Sequence, residues 1–120
     1  MMKRLLFIFT LFQTLLIIAS CAKYDQQLEV TTLNSPQVLL LHKKPNQKYI
    51  NSMVIHCYGK LDGEAKLILM LNGAPYKTES MKGKVDFTWR GDWYSDTMEL
   101  RYQPSNVTGG QFVIDYAFSD

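Results

Sequence analysis

A chain of 120 residues has room for one domain and one hydrophobic core, not for a second domain or a deep internal substrate chamber. The formal charge of +2 is carried by Lys3 and Arg4; without them eleven basic residues face the 11 acidic ones. That balance excludes the net basic domain or dense basic stripe with which nucleic-acid binding announces itself.

The first segment has three parts. Met1 to Arg4 is a short positive start, residues 5–18 are apolar apart from Thr10, Gln13 and Thr14, and the small residues Ala19 and Ser20 precede Cys21. This is the layout of an export signal. The apolar run is short and interrupted, whereas a bilayer span needs about twenty apolar residues.

Ile18-Ala19-Ser20-Cys21 resembles the lipobox of bacterial lipoproteins, in which an aliphatic residue and two small residues precede an invariant cysteine. The resemblance implies diacylglycerol on the Cys21 thiol, cleavage before it, and an acylated new amino terminus. Two or three acyl chains anchor stably, at about 0.8 kcal/mol per buried methylene, where one chain is marginal. Ala22 rather than Asp follows the cysteine, which implies an outer-membrane address in an organism that has one. The organisation expected is a signal over 1–20, a lipidated tether over 21–27 and a folded domain over 28–120. An ordinary secretory signal with a chance cysteine remains the alternative.

From there, period-two alternation or short apolar runs mark strands over residues 28–32, 37–42, 50–58, 65–71, 85–89, 98–102 and 112–118. Turn residues punctuate them: Asn34-Ser35-Pro36, Pro45-Asn46, Asp62-Gly63, Asn72-Gly73, Lys82-Gly83, Arg90-Gly91-Asp92 and Thr108-Gly109-Gly110. The spacing predicts an all-β fold, a small antiparallel β-sandwich of jelly-roll-like or immunoglobulin-like form. The expected core is Met53, Ile55, Cys57, Leu67, Leu69, Leu71, Val85, Phe87, Trp89, Met98, Leu100, Tyr102, Phe112, Ile114, Tyr116 and Phe118.

Cys57 follows His56, and a thiol beside an imidazole invites a nucleophile-and-base reading. Successive side chains of a strand point to opposite faces, so the two cannot meet, and Cys57 reads as a buried core residue. With His42 the only other histidine, there is no metal-ligand spacing and no triad, so neither an enzyme nor a cofactor is expected.

The stretch Trp89-Arg90-Gly91-Asp92-Trp93-Tyr94-Ser95-Asp96 gathers aromatics, carboxylates and a guanidinium around a glycine. Exposed rings there suit sugar stacking or a protein anchor, so Trp89, Arg90, Asp92, Trp93, Tyr94 and Asp96 are the contact candidates. The competing account has Trp89 and Tyr94 capping the core. Asp92 and Asp96 are too few for a calcium site and have no cleft for a glycosidase pair. Arg90-Gly91-Asp92 as an integrin tripeptide and Asn106-Val107-Thr108 as a glycosylation sequon read as coincidences. The cluster from His42 to Lys48 is either a solvated hairpin or a contact for anionic headgroups, and in the second case it should lie on the end of the domain that carries Cys21.

These features favour a non-enzymatic envelope lipoprotein, held by lipid on Cys21, that binds another envelope protein. A glycan- or peptidoglycan-binding module and an inhibitor or exclusion factor are the alternatives. Exposure of Trp93 and Tyr94 discriminates: a flat solvent-facing pair favours sugar, and burial of both favours protein contact.

Overall fold

Six strands fold the chain: β1 (Gln26–Val30), β2 (Gln37–His42), β3 (Ser52–Leu71), β4 (Ala74–Asp92), β5 (Thr97–Pro104) and β6 (Gly110–Ser119). They are seen in a computed structural model that describes residues 24–120; the signal and Cys21 lie outside the described residues. Every ladder is antiparallel, and no helix forms among the described residues. β1 begins at Gln26, so the expected tether over 21–27 gives its last two residues to the sheet.

Three of the expected turns are not turns: Asp62-Gly63 lies within β3, and Lys82-Gly83 and Arg90-Gly91-Asp92 lie within β4. The strands expected over 50–58 and 65–71 are one strand, because β3 runs through Asp62-Gly63 as a bulge: Leu61 pairs with Gly83 and Glu64 with Lys82, leaving two residues unpaired. β4 likewise runs through Lys82-Gly83 and starts at Ala74 rather than Val85. Only Asn72-Gly73 makes the hairpin, with Asn72 at φ 52 and Gly73 at φ 78.

The strand order β1-β6-β3-β5-β2, with β4 on the other side of β3, makes the long hairpin common to both layers of the sandwich. The first half of β3 pairs with β6 over Ser52 to Leu61, and the second half with β5 over Ala65 to Leu69. The sheet folds over at the bulge. Gly59 (φ 145) and Gly63 (φ 135) sit there because backbone from the neighbouring segments presses in: a Cβ would collide with the Gln111 carbonyl at the first and the Asn106 carbonyl at the second.

The folding over brings the two inner faces together around Ile55, Cys57, Leu67, Leu69, Leu100, Tyr102, Phe112 and Ile114, all fully buried. Each such large apolar side chain contributes about 1.5–3 kcal/mol through removal from water. Tyr102 of β5 meets Phe112 of β6 across the layers with ring centroids 6.1 Å apart. At the open side, β1 and β2 stand at opposite ends of the strand order yet lie side by side. Gln26 Nε2 donates to the His42 carbonyl at 2.9 Å, and Gln37 Nε2 donates to the carbonyls of Thr31 and Thr32.

One expected core position is corrected. Leu71 is 39% exposed at the last position of β3, beside the Asn72-Gly73 turn, where a one-residue register shift leaves Tyr76 of β4 unpaired. Phe87, Trp89 and Tyr116 pack on the core only in part. Leu61, Ala65, Met81, Trp93 and Val107 join the core from positions not expected there.

Candidate functional site

The stretch from Trp89 to Asp96 does not act as a unit. Trp89 faces inward at the rim of β4, its ring 5.1 Å from that of Phe87. Trp93 is buried: its backbone N–H reaches the Asn51 carbonyl at 3.1 Å, and its indole N–H donates to the Thr97 carbonyl at 3.0 Å. Tyr94, one residue on, is 78% exposed. The pair therefore forms no flat platform, and the exposure test separates its two members. Arg90 and Asp92 are exposed at the end of β4, opposite Val54 and Ser52, and Asp96 is exposed in the following loop. Among the described residues no group of three or more His, Cys, Asp or Glu is placed to hold a metal ion.

A different constellation lies on the outer face of the β1-β6-β3-β4 layer. Strand alternation turns Cys57 into the core and leaves His56 and Tyr58 outside. Cross-strand register then sets Asp115 of β6 and Thr88 of β4 beside His56, and Asp86 of β4 beside Tyr58. His56 Nε2 lies 2.7 Å from Asp86 Oδ1. The imidazole stacks on Tyr24 at 5.8 Å and 27° and meets the Tyr58 ring tilted, at 4.9 Å and 30°.

Gln27 closes the other side, its amide reaching Asp115 Oδ1 at 2.7 Å and the Tyr58 hydroxyl at 3.3 Å. Desolvation first, then the hydrogen bond and charge of Asp115, push the Tyr58 phenol up, against a smaller opposing effect of the Gln27 amide. The result is a row of three rings bordered by two carboxylates and an amide. An acceptor-rich border around apolar rings can take a ligand that offers hydroxyl donors and a C–H face.

The neighbouring thiol cannot contribute. Burial, with smaller contributions from Glu79 and Asp115, pushes Cys57 far up and keeps it protonated. A surface groove of about 490 Å³ lies elsewhere, between Glu64, Lys66, Ser80, Lys82 and Gln103 at the fold of the hairpin. A Lys82–Glu64 ion pair of 3.3 Å spans it, and no ring lines it.

No family model matches the chain. No curated protein matches it either. Among solved structures it is similar to "CBM4 structure and function" with a TM-score of 0.42 and 9% identity, covering 82% of this chain and 76% of that one. It is also similar to dimeric latent PorU from Porphyromonas gingivalis, with a TM-score of 0.43, 10% identity and coverage of 81% and 11%. A third is carbohydrate-binding module CBM36 in complex with calcium and xylotriose, with a TM-score of 0.37, 11% identity and coverage of 79% and 89%. The calcium and xylotriose are that module's, and no residue correspondence carries them over.

Sequence reasoning used His56 only as the neighbour of Cys57. Its partner at i+2, Tyr58, was visible as a same-face residue, but Asp86, Asp115, Gln27 and Tyr24 come from three other segments. Nothing in the sequence says that β1, β6, β3 and β4 lie side by side.

Proposed function

We propose that this chain is a lipid-anchored, non-catalytic binding module of a bacterial envelope, and that its ligand is a glycan held on the outer face around Tyr58. The observation that carries this reading is the ring row Tyr24, His56 and Tyr58 bordered by Gln27, Asp86 and Asp115. Tyrosine alone would serve a protein-binding hot spot as well, where Trp, Tyr and Arg pack into fully desolvated pockets. This face instead offers carboxylate and amide oxygens beside rings, which matches vicinal hydroxyls and sugar C–H bonds.

Calorimetry of the lipidated protein in micelles against soluble peptidoglycan fragments and neutral oligosaccharides tests it. Tyr58→Ala should weaken binding about tenfold, the worth of one stacked ring. Tyr94→Ala should leave it unchanged. Binding that ignores Tyr58, or no binding by any glycan, overturns the reading. The anchor is tested separately, by intact mass and membrane fractionation of the wild type and Cys21→Ala.

A second reading has its own observation. β2 exposes the side chains of Val38 at 61% and Leu40 at 54%, an apolar pair on the outer surface that can anchor a protein partner. A photo-crosslinker at Val38 should then capture an envelope protein that Leu40→Lys no longer retains.

A further inference from the structure

The two most exposed large hydrophobic side chains among the described residues are Tyr49, 83% exposed, and Tyr94, 78% exposed. They belong to loops far apart in sequence that the fold stitches together. Lys43 N–H donates to the Asp96 carbonyl at 2.9 Å, Trp93 N–H to the Asn51 carbonyl at 3.1 Å, and Asn51 N–H to the Ser119 carbonyl at 2.8 Å. The loop between β2 and β3 is itself held rigid. Buried Gln47 donates to the Phe118 carbonyl at 2.6 Å, its side-chain oxygen accepts from Lys44 N–H, and its carbonyl accepts from Lys43 Nζ.

This end of the sandwich is also where the described chain starts. Lys44 Nζ is 2.7 Å from Asp25 Oδ2, and Gln26 bonds the His42 carbonyl. Cys21 is four residues before Asp25, and four extended residues reach at most about 14 Å. A lipid on Cys21 seats its glycerol at the headgroup level, so that reach leaves no room for the end bearing Asp25 to stand away from the bilayer. The opposite end, where Asp62 bonds Gly109 and Thr108, has no such tie.

We infer that the paired loops carrying Lys43, Lys44, Lys48, Tyr49 and Tyr94 rest on the surface of an anionic phospholipid bilayer, with Tyr49 and Tyr94 at headgroup depth. The inference rests on the anchoring proposed above and assigns the domain an orientation. Tyrosine suits that depth because its ring partitions among the upper acyl segments while its hydroxyl stays wet. Lys48 is the lysine most available to lipid phosphates, since Lys43 Nζ donates to the Gln47 carbonyl and Lys44 Nζ pairs with Asp25; with Asp92 at the end of β4 and Asp96 on the following loop tempering the attraction, the two tyrosines are the stronger contact. In this pose the outer face with Tyr58 runs up from the membrane instead of lying against it.

The test uses the lipidated full-length protein in vesicles of phosphatidylethanolamine with a phosphatidylglycerol fraction. Cys57 is buried and Cys21 is acylated, so a single added cysteine takes an environment-sensitive fluorophore: Asn46→Cys and Ser95→Cys beside the tyrosines, Asn34→Cys at the far end. Headgroup-nitroxide lipids should quench the first two about threefold more than the third, as expected at aromatic-belt depth. Adding Tyr49→Ser and Tyr94→Ser to the Asn46→Cys protein should lower its quenching. Equal quenching at all three positions, or none at 46 and 95, overturns the orientation while intact mass shows lipid on Cys21. A mass without lipid overturns the anchor and the orientation together.

Discussion

The Tyr102 hydroxyl donates a 2.6 Å hydrogen bond to the carbonyl of Leu33, sixty-nine residues away in the chain. The bond is buried, and it ties the loop after β1 to β5 in the other layer. Removing the hydroxyl leaves the Leu33 carbonyl without this partner in a place water does not reach. Tyr102→Phe should therefore lower the unfolding free energy by about 1–2 kcal/mol, read from urea midpoints at unchanged m-value.

Cys57 makes a prediction about alkaline pH. Its thiol is pushed up from an ordinary value of 9.0, so above pH 9 the unfolded chain releases a proton that the folded chain keeps. The unfolded state then binds fewer protons, and stability falls as pH rises; it is fully present below the unfolded value. The loss from Cys57 should reach about 1 kcal/mol near pH 9.5, and Cys57→Ala should remove that share of the slope, leaving the fall that Tyr58, Tyr102 and Tyr116, whose phenols are also pushed up, add at higher pH, although the variant is less stable at neutral pH. Thiol reagents should modify Cys57 only on unfolding.

The glycines of β3 and β4 are not equivalent. At Gly59 both the positive φ and the adjacent Gln111 backbone forbid a side chain, while Gly83 has φ 64 and open space around its Cβ position. Gly59→Ala should cost on the order of 4 kcal/mol or prevent folding, and Gly83→Ala about 1 kcal/mol, the cost of the left-handed conformation alone. Thermal melts of the two variants side by side measure the difference.

Adjacent aromatic residues should also diverge. Trp93→Ala empties a buried site and loses the bond to the Thr97 carbonyl, at a cost of about 3–5 kcal/mol. Tyr94→Ala should stay within about 0.5 kcal/mol of wild type. Urea denaturation followed by Trp89 fluorescence separates them.

What the sequence made legible is the part of the structure that depends on periodicity. Alternation located β2 to the residue, the ends of β5 and β6 within three residues, and the opposite facings of His56 and Cys57. Asp62-Gly63 and Lys82-Gly83 misled because a glycine that ends a strand and a glycine that lets a strand bend under a neighbour carry the same local signal. Residues 74–84 were passed over because at a sheet edge polar residues such as Lys77, Thr78 and Ser80 are tolerated on both faces. Trp93 was read as a contact residue since its burial depends on Asn51 and Thr97, partners that only the tertiary fold supplies. The cluster around Tyr58 was illegible for the same reason, being assembled across four strands whose order is not encoded locally.

β1, the first strand among the described residues, pairs only with β6, the last of them, through the five partners from Gln26–Tyr116 to Val30–Phe112. A chain emerging end first, whether from a ribosome or through a membrane pore, therefore carries its opening strand unpaired until the closing strand has appeared. The local β3–β4 hairpin can zip early, but the sheet is completed only once β6 is available to pair. Such an ordering makes the arrival of residues 110–119 the event that commits the sheet to its final shape.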